Sequence, residues 1–271
     1  MLITVDELLK LDADGVVIID TRSSWKFFIG HIAGAVNLSD WRAFTRTVSG
    51  VKGVLNEDKK FILQSLRPLG IDKNTHIILY GDPADPWRTD GRFFWMFERY
   101  GFNSVSILEG GLTLWKEQGG PVERGGASSR KPSGLSEEDL RFNLDTVADS
   151  GWILERLESE NLAIVDNRTR EEYDGKTPYG SDRGGHIPKA IHIPWQNFFT
   201  ESGLLKNPEV LTELLKKYGI QLEMEIVVYC TGGVRSAMAY FVFRVLGVPV
   251  RNYDGSWWDW SHNPDLPVEA G

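Results

Sequence analysis

Short apolar, β-branched runs alternate along this chain with segments of helical periodicity. Val17-Ile18-Ile19, Ile77-Ile78-Leu79, Ile164-Val165 and Ile226-Val227-Val228 are unbroken apolar runs, the signature of strands buried on both faces of a parallel sheet. Helical patterns lie between them. Pro208 through Tyr218-Gly219 predicts a helix with proline in its first turn and glycine just past its end, and Lys59 through Gly70 plays the same part earlier. An apolar helical run from Ala237 to Leu246 begins directly after Ser236. The alternation predicts the α/β class, with mostly parallel sheets flanked by helices on both faces.

The pattern occurs twice. Val17-Ile18-Ile19-Asp20-Thr21-Arg22 matches Ile164-Val165-Asp166-Asn167-Arg168, and Gly30-His31-Ile32 matches Gly185-His186-Ile187. Further on, Ile77-Ile78-Leu79-Tyr80-Gly81 matches Ile226-Val227-Val228-Tyr229-Cys230, and Leu108 through Trp115 matches Tyr253 through Trp260. A length of 271 residues suits two domains of ordinary size. The expected division is residues 1–124 and 140–271, joined by a Gly-, Ser- and Pro-bearing stretch from Arg124 to Asp139 that reads as an exposed linker.

Composition narrows the function. Apolar residues at 41% and charged residues at 25% are ordinary for a globular protein. A formal charge of -8 argues against nucleic acid or an anionic membrane as partner, because polyanions need a clustered basic face. A small anionic substrate remains compatible where positive potential is concentrated locally. The start, Met1 to Glu7, has no basic segment and no run of 18 apolar residues occurs, so a cytoplasmic protein is expected. A single cysteine excludes an intrachain disulfide and a thiolate-rich metal cage.

One copy serves as a control for the other. The Asp-x-Arg pairs, the Gly-His-Ile segments and Trp115 with Trp260 recur, although the first copy has no cysteine. They therefore read as fold residues, and His186 as a structural turn residue rather than a general base, with His31 at the same place. What differs is the loop. Gly81 leads into Asp82-Pro83-Ala84-Asp85-Pro86-Trp87-Arg88, whereas Cys230 leads into Thr231-Gly232-Gly233-Val234-Arg235-Ser236. From Gly81 to Gly101 is 20 positions and from Cys230 to Gly247 is 17. Cys230 thus stands at a strand-loop-helix junction, where the two glycines let successive N–H groups curl into an anion-binding nest. Such a nest, with Arg235 as the nearest cation, lowers a thiol pKa from its free value of about 8.5. Cys230 and Arg235 are the candidate catalytic residues; Thr231, Gly232, Gly233, Val234 and Ser236 are the candidate substrate-binding ones.

These residues resemble the rhodanese family, tandem-domain thiosulfate sulfurtransferases in particular. The resemblance is carried by Asp166-Asn167-Arg168 with Glu171-Glu172-Tyr173, Gly185-His186-Ile187-Pro188, Ile193-Pro194-Trp195, the loop from Tyr229-Cys230 to Ser236, and Tyr253-Asp254-Gly255-Ser256-Trp257. It implies two rhodanese-like domains, the first inactive with Gly81 at the cysteine position. It also implies a double-displacement cycle in which Cys230 carries sulfur as a persulfide between a small anionic donor and a thiophilic acceptor, with no metal or organic cofactor and no particular oligomeric state. Members specific for 3-mercaptopyruvate typically carry Gly-Ser-Gly-Val-Thr after the cysteine; Thr-Gly-Gly-Val-Arg here puts a cation at the last position and favours thiosulfate. The second copy has nine extra residues, since 11 positions separate Asp20 from His31 and 20 separate Asp166 from His186. Arg183 lies among them, either as a ligand for a sulfonate or as a solvated loop arginine. Two other readings stay open: a phosphatase, although four residues between Cys230 and Arg235 are one short of a Cys-x5-Arg cradle, and a sulfur carrier serving a partner protein.

Overall fold

A computed structural model describes residues 1–127 and 129–270. The continuous apolar runs form the central strands of two five-stranded sheets, each parallel throughout. The first sheet runs Leu2–Ile3, Val105–Leu108, His76–Tyr80, Val16–Asp20, Val36–Asn37. In the second the order is Val147–Ala148, Val250–Tyr253, Glu225–Tyr229, Leu162–Asp166, Ile191–His192. Strand for strand the two orders are the same, so the sequence repeat is a topological repeat. Parallel neighbours need a crossover, and the helices Thr89–Tyr100 and Arg235–Val245 supply it at corresponding places. The α/β class expected from periodicity is the observed one.

Local signals hold where they were expected. Asn207 caps the helix Pro208–Lys217 by accepting from the Val210 amide, and Gly219 beyond it has φ 76°. The helix Lys59–Leu66 is capped by Asp58 and ends, after a 3-10 turn, at Gly70 with φ 77°. Among the described residues no helix is long and apolar enough to cross a membrane.

The chain divides into two compact units, Met1–Phe44 with Asn56–Asn143, and Thr45–Leu55 with Leu144–Gly271. One segment therefore lies elsewhere than its sequence position suggests. The antiparallel hairpin of Thr45–Val48 and Val51–Leu55 belongs with the second unit. The stretch read as an exposed linker is exposed over most of its described residues, and its later part is tied to the first unit: Ser133 Oγ donates to Ile71 O, Arg67 Nε to Leu135 O at 2.6 Å, and Lys59 Nζ to Glu137 O at 2.7 Å. The physical reason is burial of Leu135, an apolar anchor inside a polar stretch, and of Leu140 just beyond its end.

The recurring residues build twin scaffolds. Arg168 grips Asp166 (Nη2 to Oδ2 2.6 Å) and donates to Gly185 O at 2.7 Å; Arg22 grips Asp20 and donates to Gly30 O at 2.7 Å. The Tyr229 hydroxyl accepts from the Ile187 amide and that of Tyr80 from the Ile32 amide. His186 stacks on Tyr173 at 3.6 Å with Nδ1 on Tyr173 O, as His31 stacks on Phe27 at 3.7 Å with Nδ1 on Phe27 O. Trp260 donates to Pro267 O and Trp115 to Pro121 O from the two cores. These contacts support the reading of both histidines and both tryptophans as fold residues. Arg168→Ala strands Asp166 as a buried, unpaired carboxylate and is expected to destabilise the second unit by about 3–5 kcal/mol. Denaturant unfolding measures this, and an unchanged midpoint would count against the scaffold role.

Candidate active site

The strand Glu225–Tyr229 delivers Cys230 to the carboxyl edge of the second sheet, and the helix Arg235–Val245 leaves five residues later. The loop between them needs both glycines, for different reasons. Gly233 has φ 73°, a conformation that side-chain-bearing residues rarely adopt. At Gly232 a Cβ would sit 2.2 Å from a ring carbon of Trp258, so the indole can cover the loop only over bare backbone. The first turn of the helix Ser256–His262 anchors the loop from outside. Trp257 N donates to Cys230 O at 3.0 Å, Trp258 N to Thr231 O at 2.9 Å, and Cys230 N donates to Ser256 Oγ at 3.2 Å.

Cys230 is 1% exposed. Burial pushes its thiol up, but the Arg235 guanidinium, the Ser236 amide and hydroxyl and the Gly232 amide act the other way, and the net result is a pKa below the ordinary thiol value. The Ser236 hydroxyl lies 3.6 Å from Sγ and 2.7 Å from Asn252 Oδ1; its single proton chooses between them. Asn252 Nδ2 in turn donates to Gly233 O at 3.3 Å.

Arg235 does not stand alone. Its Nη1 and Nη2 meet the two Glu172 oxygens at 2.7 and 2.8 Å, Nη2 also reaches Thr231 Oγ1 at 2.7 Å, and that hydroxyl donates to Glu172 Oε1 at 2.5 Å. Glu172 is buried; burial alone would raise its carboxyl, but Arg235, Thr231 and the Thr169 amide hold it down to about 2. Sequence reasoning gave Glu172 no site role, yet a signal was there. In the first copy its position is taken by Lys26, which pairs with Asp82 at 2.8 Å, the residue after Gly81. The charge at this position reverses between copies, together with the loop it faces.

The remaining candidates separate. Thr231 to Ser236 form one continuous loop and helix start around Cys230. Arg183 does not join them: its guanidinium donates to the carbonyls of Trp260, Ser261, Asn263 and Leu266, tying the inserted segment to the chain's last helix. The insertion contributes differently, through Tyr179, whose carbonyl accepts from Trp258 Nε1 at 3.2 Å and whose ring lies 5.5 Å from the Arg235 guanidinium carbon. In the first unit a Cβ at Gly81 would meet Asp90 Cγ at 3.1 Å, and Asp90 is paired two-pronged with Arg88. That loop is filled from within by its own buried ion pair.

Residues 4–118 and 149–263 each match the family model of the rhodanese-like domain. The chain belongs to the rhodanese-like family. Among its rhodanese relatives, the sulfur carrier protein TtuD of Thermus thermophilus is 32% identical over 97% of this chain and 90% of its own. A thiosulfate sulfurtransferase of Azotobacter vinelandii is 30% identical over 96% and 93%. The crystal structure of SseA from Escherichia coli, described for the rhodanese fold and mechanism of 3-mercaptopyruvate sulfotransferases, aligns with a TM-score of 0.80 at 26% identity, covering 94% and 98%. The chain is thus a rhodanese-fold member of a sulfurtransferase family. Its relatives are divided over donor, so donor choice has to be argued from the site.

Two outcomes are expected. Ser236→Ala removes a donor to the thiolate and moves the Cys230 pKa upward, followed as the midpoint of thiolate ultraviolet absorbance against pH; no movement would leave Arg235 and the amides as the controlling groups. Because the Glu172 carboxyl is depressed from 4.5 to about 2, its contribution to stability is fully present above about pH 4.5. That contribution fades as pH falls toward 2. In Glu172→Gln the corresponding part of acid unfolding should disappear.

Proposed function

We propose that the chain moves a sulfane sulfur from thiosulfate to a thiophilic acceptor, cyanide or a thiol, through a persulfide on Cys230. One observation carries the reading: an almost wholly buried cysteine at the base of a glycine loop, with the Ser236 hydroxyl 3.6 Å from its sulfur and the Arg235 guanidinium lowering its pKa. A structural cysteine in an apolar core would be pushed the other way.

The Cys230 thiolate attacks the outer sulfur of thiosulfate, the sulfur–sulfur bond breaks with its electron pair on the departing sulfite, and Cys230 carries a persulfide anion. Attack by the acceptor on the terminal sulfur releases thiocyanate or a new persulfide and restores the thiolate. The Gly232 and Ser236 amides, which already act on the thiolate, stabilise the charge that shifts onto the terminal sulfur, within the loop of Thr231, Gly232, Gly233, Val234, Arg235 and Ser236. Arg235 stabilises the thiolate through space. In this reading Arg183 has no substrate role, and the first domain, with its filled Gly81 loop, is inactive.

Phosphate chemistry is disfavoured on the same geometry. A phosphate cradle needs its arginine turned onto two phosphate oxygens, whereas the Arg235 guanidinium meets the two oxygens of Glu172. We read a preference for thiosulfate over 3-mercaptopyruvate from Arg235 standing where neutral threonine is expected in the mercaptopyruvate enzymes; held by Glu172, it acts on the thiolate and is not itself the ligand of the donor.

Steady-state assays with cyanide should give parallel double-reciprocal lines for thiosulfate, a higher kcat/KM for thiosulfate than for 3-mercaptopyruvate, and no turnover in Cys230→Ala. Intact mass after thiosulfate should show one added sulfur atom on the wild type alone. Hydrolysis of p-nitrophenyl phosphate that disappears in Cys230→Ser, with no sulfur loading from either donor, would overturn the assignment.

A further inference from the structure

The donor in the proposed reaction is an anion, and the chain carries a net charge of -8. Productive approach therefore needs positive charge concentrated at the mouth of the Cys230 loop. The arginines that the loop and the inserted segment supply are already bound to acceptors. Arg235 is held by Glu172 and Thr231, and Arg183 by four backbone carbonyls.

The hairpin Thr45–Leu55 brings another. Within the second unit it runs along one face of the helix Ser256–His262 and the turn before it. Leu55 N donates to Asp254 Oδ2 at 2.7 Å, a Cβ at Gly53 would sit 3.2 Å from the Trp258 ring, and one at Gly50 would sit 3.0 Å from His262 Nε2. Trp258 and His262, four apart, share one face of the helix, and Asp254 lies in the turn before it, so the hairpin is met at three points. That Gly53 Cβ position is also 4.0 Å from Gly232 O, which brings hairpin backbone beside the Cys230 loop itself. Lys52 is the neighbour of Gly53. Its Nζ lies 4.3 Å from the centroid of the Trp258 ring, the ring that covers Gly232. Among the described residues this ammonium meets no carboxylate, and its side chain is exposed.

We propose that Lys52 is a specificity-determining residue that receives the anionic end of the sulfur donor at the Cys230 loop, while the Trp258 face holds the ammonium in place. The proposal rests on Cys230 as the sulfur-accepting group. It assigns the donor-binding cation to a hairpin supplied by the first half of the sequence, in a place where Arg235 and Arg183 are both engaged with other groups. Lys52 touches no reacting sulfur atom, so its effect falls on donor capture and not on the rate of sulfur–sulfur cleavage.

Single-turnover loading of Cys230 by thiosulfate tests it. In Lys52→Ala the half-saturating thiosulfate concentration should rise about fivefold, the scale of one partly screened charge contact, with the limiting rate kept. Discharge of the loaded enzyme to a neutral thiol should be unchanged. Lys52→Arg should restore the donor affinity, Lys52→Glu should weaken it further, and high salt should erase the difference between Lys52→Ala and wild type. An unchanged half-saturation point in Lys52→Ala, or an equal loss in both half-reactions, overturns the proposal. A second readout does not depend on sulfur transfer: alkylation of Cys230 by iodoacetate relative to neutral iodoacetamide. Lys52→Ala should lower that ratio, and a ratio equal to wild type would count against Lys52 even if thiosulfate proves not to be the donor. A wild type that loads no sulfur yet shows the lysine-dependent ratio would remove the Cys230 sulfurtransferase reading and leave Lys52 as an anion site.

Discussion

A thiol taken out of water keeps its proton unless positive charge is held beside it. Around Cys230 that charge is Arg235, and a buried guanidinium is itself unstable without a counter-anion. Glu172 is that anion, and its carboxylate is in turn fixed by the Thr231 hydroxyl and by its place in the capping box of Thr169. The pair neutralises itself at long range. At short range it leaves the guanidinium where it lowers the thiol. Burial, which on its own would make the cysteine inert, instead keeps water from screening the attraction.

The duplicated sequence makes the molecule its own control. Both halves keep the Asp–Arg grip, the tyrosine hydroxyl that accepts a backbone amide and the histidine stacked over an aromatic ring, since both must close a parallel sheet in the same way. They part at the loop after the middle strand of each sheet, His76–Tyr80 or Glu225–Tyr229. One fills that space with Asp90 and Arg88; the other leaves glycines under Trp258 and a thiol at the base. The charge reversal from Lys26 to Glu172 belongs to the same change, because each faces the residue directly after Gly81 or Cys230.

Segments with weak patterns of their own carry part of the second unit's construction. The hairpin Thr45–Leu55 has two short strands and a glycine-bearing turn, too small to stand alone, and it gains its order from the helix Ser256–His262. The inserted segment around Arg183 has no regular structure. Its order comes from carbonyls and indoles of the same helix: Trp257 donates to Arg183 O at 2.9 Å and Trp258 to Tyr179 O at 3.2 Å. A single seven-residue helix thus braces the loop, the insertion and the hairpin.

By itself the sequence determined what local rules can determine. Apolar runs without alternation marked strands covered on both faces, proline and glycine marked helix ends, and the repeat separated shared scaffold from the one loop with a cysteine. Gly232-Gly233 beside Cys230 was legible because a tight loop before a helix needs glycine wherever it occurs. The tertiary structure alone decided three matters: that Glu172, 63 positions before Arg235, closes onto it; that the Arg183 guanidinium turns to a helix end; and that residues 45–55 leave their own half for the other. Each depends on which distant backbone carbonyl, carboxylate or aromatic face comes within hydrogen-bonding or contact range. That distance is a property of the folded chain and has no counterpart in its periodicity.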